Sequence, residues 1–138
     1  MGWDAYALRN VDKVNSGEPH LDAEMQQVFE EATAELMRQA GNGGVCLCDG
    51  GLGGSWSKKC LSLATPFSCD TAENEEGLLV WSPETVQKAN ALADWSFPVE
   101  EIDEAHPEWL DLLATHKNDA RFFLQTCAEH GYAILFTG

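Results

Sequence analysis

Positive charge is scarce in this sequence. Eight Lys and Arg face 23 Asp and Glu across 138 residues, a formal net charge of −15. Nucleic-acid phosphates demand a basic surface, so this balance excludes nucleic-acid binding as a function class. It argues against an anionic membrane surface on the same ground. Long apolar runs are missing too, and nothing approaches the ~20 apolar residues of a membrane span. The opening residues, Met1-Gly2-Trp3-Asp4-Ala5-Tyr6, lack the basic flank and apolar stretch of a secretion signal. The expectation is a cytoplasmic protein with no membrane partner. The five cysteines, an odd number, are then expected as reduced thiols or metal ligands rather than disulfides.

Several chemical signatures are also missing. No internal repeat is present. No D-x-D-x-D-G calcium loop occurs. The four histidines, His20, His106, His116 and His130, are spread too widely for a metal pair. Asp103-Glu104-Ala105-His106 spells a helicase box without its phosphate loop, and His106-Pro107-Glu108 spells part of a deaminase motif without the downstream P-C-x-x-C. Both are coincidental, and His106 is better read as a helix-entry residue before Pro107.

What is present suffices for one domain covering 1–138. A chain of this length buries roughly two-thirds of its unfolded surface and needs no staple. Gly2 to Leu8 reads as a strand. From Leu21 the apolar residues Met25, Val28, Phe29, Ala32, Leu36 and Ala40 recur on one helical face, which predicts a helix from Asp22 to Ala40 with Asp22 as its cap and Gly41 past its end. Residues 41–76 form a glycine-rich, irregular segment. Val45 to Cys48 is a candidate strand within it, and Lys58 to Ala64 is a candidate for one or two helical turns. Leu78 to Trp81 is a strand candidate. Ser82-Pro83-Glu84 is a strong helix start, with a cap residue, a proline at N1 and an acid in the first turn. Residues 107–130 are helical, either as one helix or as two; Asn118-Asp119 looks like a second cap and tilts the reading toward a break near His116. Gly131 ends the region and Tyr132 to Phe136 closes as a strand. The fold class is therefore α+β. A small sheet of about three to five strands is expected, with the N- and C-terminal strands near neighbours and three to four helices packed on it.

Two segments carry the candidate chemistry. Between Ala89 and His116 there is no Lys or Arg, yet Asp94, Glu100, Glu101, Asp103, Glu104, Glu108 and Asp111 are interleaved with Trp95, Phe97 and Trp109. Acids around aromatic anchors are what a binder of a basic protein surface presents. The bland reading is a solvated acidic stretch whose aromatics belong to the core. The second segment holds Gly50, Gly51, Gly53 and Gly54, followed by Lys58 and Lys59, the one adjacent basic pair in the chain. It departs from a Walker loop, because Lys58 follows Ser57 rather than a glycine; backbone amides there still offer an anion nest. Nearby, Cys46, Cys48, Cys60 and Cys69 supply four thiols for a zinc ion, although their spacing lacks two C-x-x-C knuckles and a C-x-C on a strand points its thiols apart.

The leading expectation is a non-enzymatic acidic interaction protein, of inhibitor or immunity type, that binds a basic protein partner through Asp94, Trp95, Glu100, Glu101, Asp103, Glu104, Glu108, Trp109 and Asp111. The alternative is a small-ligand or metal-binding protein, enzymatic or not, built on the glycine-rich loop and the cysteines. No catalytic residue and no cofactor are assigned, zinc being the one candidate.

Overall fold

The computed structural model describes residues 3–9, 21–40, 47, 49–70, 79–102 and 106–137. In chain order these form β1 (Asp4–Leu8), α1 (Ala23–Ala40), β2 (Gly51–Gly53), α2 (Ser55–Ala64), β3 (Leu79–Trp81), α3 (Pro83–Leu92), α4 (Leu110–Glu129) and β4 (Ala133–Thr137). Two 3-10 turns, Val99–Glu101 and Pro107–Trp109, lie between α3 and α4. The fold is α+β: a four-stranded antiparallel sheet in the order β2-β1-β4-β3, with four helices. The first and last strands are direct neighbours at its centre, with Asp4 opposite Thr137 and Leu8 opposite Ala133.

Strand alternation sorts the sheet into two faces. Ala5, Ala7, Leu52, Trp81, Ile134 and Phe136 share one apolar cluster with residues of every helix, among them Phe29 of α1, Leu61 of α2, Val86 of α3 and Phe123 of α4. Leu8, Ala133 and Leu135 form a smaller cluster, with Val80 packed against it. Phe136 sits at the centre of the larger one, with Trp81 edge-on at 4.8 Å and Trp3 at 5.7 Å between ring centroids. Phe29 meets Phe123 at 6.0 Å and so fastens α1 to α4.

Local chemistry sets the element ends. The Asp22 carboxylate accepts from the Met25 amide at 2.9 Å, capping α1. The Ser82 hydroxyl accepts from the Thr85 amide at 3.2 Å, with Pro83 at N1 of α3. After α4, Gly131 takes φ 70°, which turns the chain so that the Tyr132 amide donates to the Cys127 carbonyl at 2.9 Å and the Gly131 amide to Ala128. Gly41, the expected counterpart after α1, lies outside the described residues.

Two expectations need correction. Residues 107–130 hold no break near His116: after the turn at Pro107–Trp109, α4 runs unbroken for 20 residues. Asp119 does not cap a second helix but is buried on α4 beside Ala120, where Leu113, Ala120, Phe123, Leu124 and Cys127 hold one face against the core. The described part of 41–76 is also more regular than expected, since it contains β2 and the ten-residue α2. Of the candidate strand Val45 to Cys48, only Leu47 is described; it is buried but outside any strand.

Replacing Phe136 by Ala is expected to cost about 3–5 kcal/mol, read as a fall in the urea midpoint. Glu30→Ala, on the exposed face of α1, is expected to move it by about 0.5 kcal/mol or less.

Candidate functional site

The acid–aromatic stretch begins where α3 stops. The Asp94 amide donates to the Ala64 carbonyl at 2.9 Å, tying the stretch to the end of α2. The exposed Asp94 carboxylate accepts from the Ser96 hydroxyl and amide, which holds it below the usual carboxylate value. Trp95 and Phe97 are half-buried and pack on each other at 6.4 Å. Lys117 of α4 donates to the Phe97 carbonyl at 2.7 Å and lies 4.6 Å above its ring. This half of the stretch is therefore fastened to α4 through its aromatics, while Glu100 and Glu101 face solvent on the turn at Val99–Glu101. Asp103 and Glu104 lie outside the described residues.

The other half is built differently. Pro107 opens the second 3-10 turn, and the His106 Nδ1 accepts from the Glu108 amide at 3.4 Å, the entry role expected of it. That turn delivers Trp109 to the surface at the start of α4, where its side chain is 42% exposed. The indole rests on Trp56 of α2 at 5.7 Å and on His106 at 5.3 Å. Glu108 and Asp111 are exposed on either side of it, and Leu112 beyond is 48% exposed. Asp111 also lies in the first turn of α4, where the helix dipole favours an anion. The structure thus divides the aromatics: Trp95 and Phe97 are anchors to the core, and Trp109 is a surface platform with an acidic rim.

Beneath Trp109 lies a contact that the sequence does not announce. Ser57 of α2 is fully buried, and its Oγ lies 3.1 Å from Nδ1 of His116 on α4, a pair separated by 59 residues. His116 also meets the edge of Trp56 at 5.7 Å. Burial pushes His116 below the usual histidine value, which favours the neutral ring; with its proton on Nε2, Nδ1 accepts from the hydroxyl. A serine–histidine pair at this distance has the geometry of a nucleophile and base. Attack needs a hydroxyl that substrate can reach, however, and Ser57 is closed to solvent. The pair instead satisfies two polar groups between α2 and α4 and supports Trp56 under the platform.

The described glycines of the glycine-rich segment are engaged in the backbone framework. Gly51 and Gly53 are strand residues paired with Tyr6 and Asp4. The amides of Gly50, Gly51 and Gly54 donate to the Leu47 carbonyl, the Asp49 carboxylate and the Trp3 carbonyl, so these three are not free to cradle an anion. Gly54 takes φ 102° as the chain turns from β2 into α2, a conformation costly for any residue with a Cβ. Lys58 and Lys59 lie on α2 rather than in a loop. Lys58 is paired with Asp70, and Lys59 is also engaged. Of the four candidate zinc thiols, Cys46 and Cys48 lie outside the described residues. Cys60 and Cys69 are buried in the core cluster, where desolvation pushes their thiols up to about 11 and about 12. Burial likewise raises Cys127. That environment opposes the thiolate form a metal requires. Among the described residues no group of three His, Cys, Asp or Glu is placed to hold a metal ion, and no helix is long and apolar enough to cross a membrane.

No family model, curated protein or solved structure matches this chain. The functional reading therefore rests on geometry alone.

Two outcomes follow from the titrating groups. The unfolded chain protonates His116 at about pH 6.5 and the folded protein only at lower pH. Stability from this residue is thus present above the unfolded value and is lost as pH falls toward the folded one. Urea unfolding of His116→Gln is expected to show a shallower loss than wild type between about pH 7 and pH 5. At pH 8 the native thiols of Cys60 and Cys69 are expected to alkylate at least about 100-fold more slowly than in the urea-unfolded chain, as read by mass spectrometry of the two cysteine-bearing peptides.

Proposed function

We propose that this protein is a non-enzymatic acidic interaction protein, of inhibitor or immunity type, which binds a basic protein partner through the surface around Trp109. One observation carries the reading. Trp109 stands 42% exposed outside the core cluster, yet it is held in place by Trp56 and His106. A tryptophan fixed in this way loses little freedom on contact and supplies a large apolar area, which are the properties of an interface anchor. Glu108 and Asp111 flank it, and Glu100 and Glu101 lie on the neighbouring turn, itself packed on α4. These carboxylates are rim groups. They steer a cationic partner toward the anchor and exclude acidic ones, while the indole provides most of the affinity. The formal charge of −15 extends the steering field beyond the patch.

The reading requires that anchor and rim be separable. Using a partner captured by the immobilised protein at low salt, Trp109→Ala is expected to weaken binding by about 2 kcal/mol, mainly through faster dissociation. Glu108→Lys combined with Asp111→Lys is expected to slow association and to flatten its dependence on ionic strength. Surface plasmon resonance measures both. Full affinity retained by Trp109→Ala, or binding indifferent to salt, would refute the assignment.

A further inference from the structure

A file of four side chains leads from the core to the surface: Ser57, His116, Trp56 and Trp109. The Ser57 Oγ lies 3.1 Å from the His116 Nδ1. The His116 ring meets Trp56 edge to face at 5.7 Å, and Trp56 carries Trp109 at 5.7 Å. Ser57 is fully buried, His116 and Trp56 are half-buried, and Trp109 is exposed. Trp56 packs on the core cluster and Trp109 does not. The place of Trp109 on the surface therefore depends on Trp56 and, through it, on His116, the one member of the file that titrates near neutral pH.

The neutral ring fits this position. The Ser57 hydroxyl donates to Nδ1, and no solvent reaches Ser57. A proton on Nδ1 reverses that bond, so the hydroxyl must accept and its own hydrogen loses its partner. A half-buried imidazolium is costly as well, unless an opposite charge faces it. From α2 the ring meets Ser57 and Trp56, and from the turn before α2 it meets Gly54. Strand β2 brings only Gly51, Leu52 and Gly53. Farther along α2, Lys58 is held by Asp70 and Lys59 is also engaged. On the turn at Pro107–Trp109, His106 takes the Glu108 amide and lies on Trp109, and Glu108 is exposed. Glu84 and Lys88 of α3 are exposed, as are Glu100 and Glu101. On α4 itself Lys117 is turned to Phe97, Asp111 is exposed, and Asp119 is buried and engaged. Helix α1 meets α4 farther on, at Phe123. Among the described residues burial alone acts on the His116 proton, and it holds the ring below its usual value.

We infer that His116 is a positioning residue for the Trp109 surface and makes that surface responsive to pH. The neutral ring holds Trp56 and Trp109 in place; the charged ring turns toward water and both indoles loosen. The surface is therefore set at neutral pH and slackens as pH falls through the value at which His116 charges in the folded protein. The effect on a partner rests on the proposed Trp109 interface, while the loosening of the rings does not.

The test is NMR of the full chain across pH, following the His116 Cε1 proton and the NOEs between the Trp56 and Trp109 rings in the same samples. Below about pH 6.5 those NOEs are expected to be lost along the curve that titrates His116, while the NOEs between Phe29 and Phe123 persist. His106→Gln is expected to leave the curve in place and His116→Gln to abolish it. Ser57→Ala removes one buried oxygen; it is expected to move both midpoints by the same amount, which keeps the test decisive if His116→Gln does not fold. Indole NOEs that stay constant while His116 titrates overturn the inference. So do NOEs that grow because the imidazolium grips the indole, that fall equally in His116→Gln, or that vanish together with those of Phe29 and Phe123. With a partner captured at neutral pH, acidification over the same range is expected to weaken binding to wild type about two- to tenfold more than to His116→Gln, the cost of re-ordering one large side chain. Equal weakening of the two overturns the regulatory role. If Trp109→Ala leaves that partner's affinity intact while the NOEs follow His116, the Trp109 interface fails and the positioning role stands.

Discussion

Five residues of β1 stand opposite five of β4 in an antiparallel ladder, and the register of that ladder decides which side chains meet the helices. A shift of β1 by one residue would turn Ala5 and Ala7 away from them and bring Tyr6 inward, and the same shift of β4 would exchange Ile134 and Phe136 for Leu135. The short strands β2 and β3 add to the two sides of this pair and give the sheet narrow edges. Helix α4 then packs on the assembled face and meets α1, α2, α3 and both 3-10 turns. The Trp109 surface stands at the start of that helix, so its position follows from the central strand pair.

The acidic character acquires a layout in this framework. Among the described basic residues, Arg9 is paired with Asp22 and Glu24, Arg38 with Glu35, and Lys58 with Asp70, while Lys117 is turned inward onto Phe97. These cations mostly serve the protein's own geometry. Of the carboxylates outside these pairs, Glu108 and Asp111 stand beside Trp109 and Glu100 and Glu101 on the neighbouring turn. Ion pairs at exposed positions add little stability, so the arrangement bears more on which surfaces attract a cationic partner than on how strongly the fold is held.

Much of the fold was legible because local signals and tertiary packing agreed. Asp22, Ser82-Pro83 and Gly131 mark element ends in the sequence and do so in the structure. The apolar spacing of α1 follows its buried face. Legibility failed where the two disagreed. Asn118-Asp119 resembles a cap, but the apolar face running from Leu113 to Cys127 keeps α4 continuous through it. Strand β2 was missed because Gly51-Leu52-Gly53 has no β-branched or aromatic residue; it is a strand because β1 offers a free edge and glycine tolerates the close approach of Asp4 and Tyr6. For the candidate site, the sequence located the acids and aromatics but not their exposure. That Trp109 faces outward while Trp95 and Phe97 turn inward depends on Trp56 and Lys117, which are distant in sequence. The Ser57–His116 contact has no local signature at all.

The central ladder also has a consequence in time. Asp4 and Thr137 meet across 133 positions of sequence. During synthesis β1 precedes β2, β3 and all four helices, and the strand that completes the middle of the sheet follows them. Until then Phe136 and Ile134 are missing from the core, and the inner edge of β1 stays open. Closure over so long a loop is slow, because its entropic cost precedes any contact that repays it. A chain whose β4 is not yet made therefore carries an open strand edge, and its surplus of carboxylates opposes edge-to-edge pairing with a second such chain.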